Sequence, residues 1–138
     1  MIEGNLGRVD FKKKATVVTY KVPPNYGGYI NVFPDLVDLT EINKPVDLIE
    51  AHKLSKKYGD AIRIYPGSME LRNGDTYALQ SRTVCVVGVG DEIQTAREKS
   101  LEGSRAIKGG SLWYRRDIGS KQHIRSSIEH LKKLRRIK

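Results

Sequence analysis

The 138-residue chain has only one cysteine, Cys85. A single thiol cannot form an internal disulfide, and it cannot supply the set of cysteine ligands of a structural zinc site. The sequence also lacks the roughly 18 consecutive apolar residues of a membrane span, and residues 1–8 contain no apolar segment typical of a signal peptide. We therefore expect a cytoplasmic protein with no membrane partner.

Catalytic motifs are equally scarce, since no P-loop and no Ser-His-Asp arrangement is present. Cys85 stands among valines, where burial would raise its pKa, so we do not expect a nucleophile. His123 and His130 are seven residues apart on a predicted helix, about 10 Å along its axis, too far to bind one ion together. The sequence predicts no catalytic residue and no metal site.

A glycine turn, Gly88-Val-Gly90, lies between a predicted strand and a predicted helix, where a dinucleotide-binding turn would be. Ile93 occupies the position of the third glycine. Asp91 and Glu92 add two carboxylates where a pyrophosphate needs bare amides. We interpret these glycines as structural.

Positive charge is in excess, with 25 Lys and Arg against 16 Asp and Glu. Residues 115–138 contain nine of these cations and only two acids. Such a segment attracts anions, and a free-standing module that binds RNA or DNA through the last helix is one hypothesis. The alternative is a solvated helix face, because Lys and Arg are also favoured near a helix C-terminus.

Strands are predicted from runs of β-branched residues and from turns. Residues 14–22 form a strand that ends at two prolines, and residues 83–89 form a central strand buried on both faces. Residues 61–65, 69–71 and 76–79 are further strands, the last two joined at Asn73-Gly74 by a type I′ turn. Residues 25–29 are a glycine loop, and residues 30–44 are mostly loop with one short strand.

Three helices are predicted. The first spans residues 46–58, with a strand at 46–51 as the alternative. The second spans 92–107, begins with Asp91 as N-cap and Gln94 as its capping-box partner, and ends before Gly109-Gly110. Residues 112–114 form a short strand or docking segment, and Ser120 caps the last helix, at about 120–136. The fold class is α+β: a small, mainly antiparallel sheet with helices packed on one side, in a single domain over 1–138.

The segment 113–119 (Trp-Tyr-Arg-Arg-Asp-Ile-Gly) concentrates aromatic and guanidinium groups beside one carboxylate. A bidentate Arg–Asp pair in such a cluster could bind an anion or fix the chain against another surface. The alternative is a structural turn in which Asp117 caps backbone amides. The residues alone leave both interpretations open.

This segment, with the helix from Asp91 and the Gly109-Gly110 break, resembles the C-terminal domain of phosphoribosylamine–glycine ligase, an ATP-grasp enzyme also called glycinamide ribonucleotide synthetase. Ala-Thr-Val-Val at 15–18, Asn-Tyr-Gly-Gly at 25–28 and the strand from Ser81 match in the same order. The resemblance covers about 15–125. In the loop after the first strand, Asn25 and Gly27 replace the family's Gly and Pro.

The resemblance implies a part of a purine-biosynthesis ligase that joins phosphoribosylamine to glycine through a glycyl phosphate, with ATP and Mg²⁺ or Mn²⁺ as cofactors of the complete enzyme. The family's nucleotide-clamping lid and its Arg-Phe-Gly-Asp-Pro-Glu metal stretch have no counterpart here. We therefore expect a chain without cofactors that is inactive alone, because phosphoryl transfer needs metal clamps and positioned charges.

The expected partners are the N-terminal and ATP-grasp domains of the same ligase, against which this domain would pack and close one side of the active-site cleft. Nucleic acid is then not an expected partner. Residues that match the family's motifs are expected at the substrate side or at the domain contact, where Arg82 and Arg115 would serve phosphate recognition or docking and Asp117 would orient a guanidinium group. The expected site residues are Tyr26, Gly27, Arg82, Arg115, Arg116, Asp117 and Gly119.

Overall fold

A computed structural model describes residues 13–28 and 38–137. The strands are β1 (Ala15–Lys21), β2 (Ile62–Pro66), β3 (Met69–Arg72), β4 (Asp75–Ala78) and β5 (Val84–Gly90). The helices are α1 (Ile49–Tyr58), α2 (Ile93–Arg105) and α3 (Lys121–Ile137). None of the helices in these two ranges has the length and hydropathy needed to cross a membrane.

The main sheet has the order β1-β5-β2, and both outer strands run antiparallel to β5. β3 and β4 form a separate hairpin. Its turn has φ of 51° at Asn73 and 86° at Gly74, which confirms the predicted positive-φ turn. The α+β class with a small antiparallel sheet is therefore confirmed.

The central position of β5 is confirmed, but its expected burial on both faces is wrong. Side chains alternate along it, with Val84 and Val86 fully buried and Cys85 and Val87 half-buried. The reason is that α2 packs on one face only, so the other face has an incomplete cover. We call that other side the open sheet face: Val18, Tyr20, Tyr65, Cys85 and Val87.

The covered face depends on close approach of α2 to the sheet. A Cβ added at Gly88 would lie 2.0 Å from the carbonyl oxygen of Ala96, so no larger residue fits there without movement. Ser100 also lies at this contact, with its Oγ 2.6 Å from Oγ1 of Thr19. Gly88 and Gly90 lie inside β5 rather than in a turn, and the close contact of Gly88 with the helix agrees with the structural interpretation of these glycines.

The apolar core lies between the sheet, α1 and the segment after α2. It contains Val46, Ala51, Ile62, Val84, Val86 and Ile107. The helix predicted at residues 46–58 is confirmed as α1, and the strand alternative at 46–51 is wrong. Leu48 holds the N-cap position of this helix without a side-chain cap, and Oδ1 of Asp47, one residue earlier, accepts a hydrogen bond from the Ile49 amide at 2.9 Å.

Two predicted helix caps have different outcomes. Ser120 caps α3 as expected, its Oγ accepting from the His123 amide at 3.1 Å. The prediction for Asp91 is wrong: Glu92 holds the N-cap position of α2 without a side-chain cap, and Asp91 pairs instead with Lys14. Lys14 lies just before β1, and its hydrogen bond and positive charge hold the pKa of the Asp91 carboxyl below its usual range.

The predicted loops are described only in part. A short 3-10 turn at Tyr26–Gly28 replaces an irregular loop, and another turn forms at Leu39–Glu41. Residues 29–37, which include most of the range where a short strand was predicted, lie outside the described residues. The described remainder of that range, 38–44, contains no strand.

Candidate functional site: a cleft lined by arginines and aromatic rings

A cleft of about 230 Å³ opens at one end of the open sheet face. It contains three of the predicted site residues, Tyr26, Arg82 and Arg115. These residues come from three parts of the chain, so only the fold brings them together. The other lining residues are Val18, Thr19, Tyr20, Val22, Trp113 and Ile118.

The segment around Trp113 reaches the cleft because it extends the sheet. Val22 and Trp113 exchange two backbone hydrogen bonds, each 2.8 Å long, just beyond the end of β1. This contact confirms the expectation of a short extended segment at residues 112–114. It also places Arg115 beside the loop that carries Tyr26.

Arg82 enters the cleft from the residues before β5. The amide of Ser68 donates to its carbonyl oxygen at 2.8 Å, and a Cβ at Gly67 would lie 2.6 Å from the same oxygen. The backbone at Arg82 is therefore held closely from one side. Its guanidinium lies over the Tyr20 ring, 5.3 Å from the centroid, which is a cation–π contact.

Arg115 and Asp117 form the bidentate pair that the sequence suggested. Nε of Arg115 lies 3.0 Å from Oδ1 of Asp117, and Nη2 lies 2.8 Å from Oδ2. The hydrogen bond from Arg115 lowers the pKa of the Asp117 carboxyl, so that the carboxylate stays charged near neutral pH. Asp117 thus fixes the direction of the Arg115 guanidinium at the cleft.

Arg116 and the two glycines lie outside the lining of the cleft. The Arg116 guanidinium stacks 4.6 Å from the centroid of the Tyr114 ring, and its carbonyl oxygen accepts from Arg97 at 2.6 Å. Gly27 and Gly119 have φ of 66° and 74°, so both adopt the left-handed backbone conformation that favours glycine. The two glycines thus serve turns, and Arg116 packs beside the cleft.

Sequence reasoning did not assign Tyr20 and Ile118 to the site. The signal for Tyr20 was available, because strand alternation puts Val18 and Tyr20 on one face of β1 and the buried Val17 and Thr19 on the other. Ile118 carried no comparable signal. Its place depends on the turn between Trp113 and α3, which no periodicity describes.

Lys21 was also missed. It is only 6% exposed and donates from Nζ to the carbonyl oxygens of Ser104 and Ile107, at 3.0 Å and 2.8 Å. Burial, followed by the charges of Lys108 and Arg116, lowers its pKa from 10.5 to about 8. Lys21 thus binds carbonyl groups released at the C-terminal end of α2, where a cation is favoured.

Groups suited to metal binding or nucleophilic chemistry are not assembled in the part of the chain that the structure describes. No group of three or more His, Cys, Asp or Glu residues in it is close enough to hold a metal ion. Burial raises the pKa of the Cys85 thiol, which confirms the expected direction and keeps it protonated at neutral pH. The cleft therefore offers recognition by cations and aromatic rings, and no residue set for holding a metal.

The described residues form a small α+β fold with a cleft lined by arginines and aromatic rings. The curated relatives of the chain are larger proteins named phosphoribosylamine–glycine ligase. The relative from Methanocaldococcus jannaschii is 38% identical over 128 residues, which cover 93% of this chain and 26% of that protein. The chain is homologous to the C-terminal portion of phosphoribosylamine–glycine ligase.

Other relatives agree. The ligase of Methanocella arvoryzae is 32% identical over 98% of this chain, and that of Thermococcus kodakarensis is 29% identical over 98%. The chain spans about 27% of the length of each. No family model matches the chain. The alternative of a free-standing nucleic-acid-binding module has no support from these relatives.

Proposed function

We propose that this chain completes a phosphoribosylamine–glycine ligase and has no ligase activity alone. The single observation that carries the proposal is the match over 93% of this chain to only 26% of the Methanocaldococcus jannaschii ligase. A chain related over nearly all of its length to about a quarter of an enzyme would supply one structural part of it. The remaining part would contain the ATP-grasp machinery.

In the complete enzyme, ATP and Mg²⁺ or Mn²⁺ would bind outside this chain, and phosphoribosylamine and glycine would be the substrates. Among the described residues, no group of carboxylates, histidines or thiols is close enough to hold a metal ion. Phosphoryl transfer depends on metal ions and positioned charges. The location in the cytoplasm and the single-domain organisation stay predictions.

The cleft residues would serve the partner-facing side of the domain. Arg82 and the Asp117-oriented Arg115 offer two guanidinium groups to a phosphate or to a carboxylate of the adjoining domains. Tyr20 and Tyr26 add aromatic walls around them. Packing against the N-terminal and ATP-grasp domains would then close one side of the active-site cleft.

The test is a ligase assay that follows ADP release dependent on both glycine and phosphoribosylamine. The chain is assayed alone and then mixed with a separately produced upstream portion of the ligase from the same organism. We expect activity in the mixture and none in the chain alone. An inactive mixture of two folded, bound parts would overturn the proposal.

Substitutions assayed in the same mixture test whether arginines of the cleft contribute more to ligase activity than an arginine elsewhere on the surface does. Arg82→Ala and Arg115→Ala should each lower the turnover by roughly tenfold or more, as the loss of a charged contact does. Arg125→Ala is the matched control, because Arg125 is an exposed arginine of α3 that does not line the cleft. Equal effects of all three substitutions would argue against a role for the cleft.

A further inference from the structure

The open sheet face has a continuous apolar surface across three strands. The strand register places Tyr20 opposite Cys85, and Cys85 opposite Tyr65, in one row. The next row on this face joins Val18 and Val87 and ends at the exposed Arg63 of β2. Val18, Tyr20 and Tyr65 remain 41%, 44% and 48% exposed although their side chains are apolar or aromatic.

This composition differs from that of a solvated sheet. An antiparallel sheet with one face toward water normally alternates apolar side chains inward and polar side chains outward. Here β1 and β5 present Val18, Tyr20, Cys85 and Val87 on the outward side, while the inward side of β1 includes Thr19 and Lys21. Contiguous apolar surface of this kind marks an interaction site.

We propose that the upstream portion of phosphoribosylamine–glycine ligase packs on the open sheet face, and that this contact, and not α3, joins the chain to the rest of the enzyme. The inference rests on the proposed function and specifies its surface. The length of the relatives supplies the occupant, because about three quarters of each ligase lies beyond the part that this chain matches. The face is also continuous with the cleft, which Val18 and Tyr20 line as well.

Charge favours that occupant over a second copy of this chain. The row of Tyr20, Cys85 and Tyr65 carries no charged side chain, whereas Arg63 of β2 lies in the neighbouring row and Arg82 lies at the edge of the face over Tyr20. None of the ion pairs formed by the described residues involves Arg82. Two copies face to face would bring like charges together on chains of net charge +9 each. The partner surface should therefore be apolar, with a carboxylate facing Arg82.

Helix α3 presents the competing surface. Its Ile128 and Leu134 are each 47% exposed, similar to the residues of the open sheet face. However, α3 carries six Lys and Arg residues against one acid, Glu129, and lies apart from the cleft lining. A substitution on α3 of equal exposure thus provides a control for nonspecific effects of added charge.

The experiment uses Cys85 as a reporter, because it is the only thiol of the chain and lies in the centre of the open sheet face. The rate of its reaction with dithionitrobenzoate is measured for the chain alone and with a saturating amount of the separately produced upstream portion. We expect the rate to fall by about tenfold or more on binding, since thiol reactivity follows access to the sulfur.

Two substitutions then test the contact directly by titration calorimetry. Tyr65→Lys and Val18→Lys should each weaken binding to the upstream portion by about tenfold or more, because each places a charge in an apolar contact. Ile128→Lys on α3 should leave the affinity within about twofold. Both positions on the sheet are solvent-accessible, and circular dichroism checks that the variants remain folded.

Each other outcome overturns the inference. An active complex in which Cys85 keeps its rate and Tyr65→Lys binds normally would reject the open sheet face while the proposed function stands. Two folded parts that form no complex and no active mixture would reject both. A dimer of the chain in sedimentation analysis that Tyr65→Lys dissociates would make a second copy the occupant.

Discussion

Lys21 donates a hydrogen bond from its ammonium group to the carbonyl oxygen of Ile107, 2.8 Å away and 86 residues further along the chain. The contact ties the end of β1 to the segment after α2. It places a cation on the covered side of the sheet, where burial lowers its pKa to about 8. The energetic cost of this buried charge can be measured through pH.

Lys21 should make the protein more stable as pH rises from about 8 to 10.5. Its pKa is about 8 in the folded state and 10.5 in the reference state, so the unfolded chain binds more protons in this window. The free energy of unfolding therefore increases with pH, by up to roughly 3 kcal/mol for this group. Below pH 8 Lys21 is charged in both states, so its cost to stability is fully present and no longer changes with pH.

Urea denaturation at several pH values would measure this slope. Lys21→Met should flatten the increase, while Lys53→Met, an exposed lysine on α1, should leave it unchanged. The comparison between variants isolates the contribution of Lys21 from that of the other groups in the chain. The same slope in Lys21→Met and in the unsubstituted protein would contradict the assignment.

Gly88→Ala should destabilise the fold by roughly 3 kcal/mol, because the new methyl group would overlap the backbone of α2 at Ala96. The helix would have to move away from β5. Thermal unfolding checks the loss, and Ser126→Ala on the exposed surface of α3 is the control. A Gly88→Ala protein with an unchanged melting temperature would show that the contact of α2 with β5 is looser than described.

Asp117→Asn should lower the ligase activity of the mixture while changing the stability of the fold only slightly. Both partners of the Arg115–Asp117 pair are about half exposed, so we expect the free energy of unfolding to fall by less than about 1 kcal/mol. The ligase activity of the mixture should fall by about tenfold, because Arg115 loses its bidentate partner.

Glu70→Gln is the matched control for this variant. It removes the exposed pair with Arg72, 2.7 Å long, on the separate hairpin. It should leave the activity of the mixture unchanged. The orientation role of Asp117 fails if Asp117→Asn gives a fully active mixture, or if both substitutions reduce activity equally.

Deletion of residues 126–138 should leave the fold nearly as stable as before. The described side chains of this segment are exposed, whereas Ile124, which is half-buried, stays in place. We expect a change below about 1 kcal/mol in chemical denaturation. A large loss of stability would mean that the apolar residues at the end of α3 contribute to the core.

Local patterns predicted most of the elements. The β-branched run at β1, the Asn73-Gly74 turn and the Ser120 cap each depend on neighbouring residues, and each is present. The errors concern distant partners. The Asp91 prediction failed because Lys14, far away in sequence, takes its carboxylate.

The site was only partly predictable for the same reason. The family motif indicated Tyr26, Arg82 and Arg115, and the structure brings all three to one cleft. The apolar character of β5 could not show which of its faces α2 covers. Strand alternation puts Lys21 on the same face as Val17 and Thr19, but it could not show that a residue type that is usually exposed is buried there.

The hydroxyl of Ser100 also connects two elements, since it lies 2.6 Å from Thr19 on β1 and donates to the carbonyl oxygen of Val86 on β5 at 3.1 Å. The hydrophobic effect has no preferred direction, so apolar burial alone specifies the position of a helix along a sheet only weakly. A hydroxyl between two specific partners loses both when the helix slides. Thr19 and Ser100 therefore fix the longitudinal position of α2, and with it the point at which the chain leaves the helix toward the cleft.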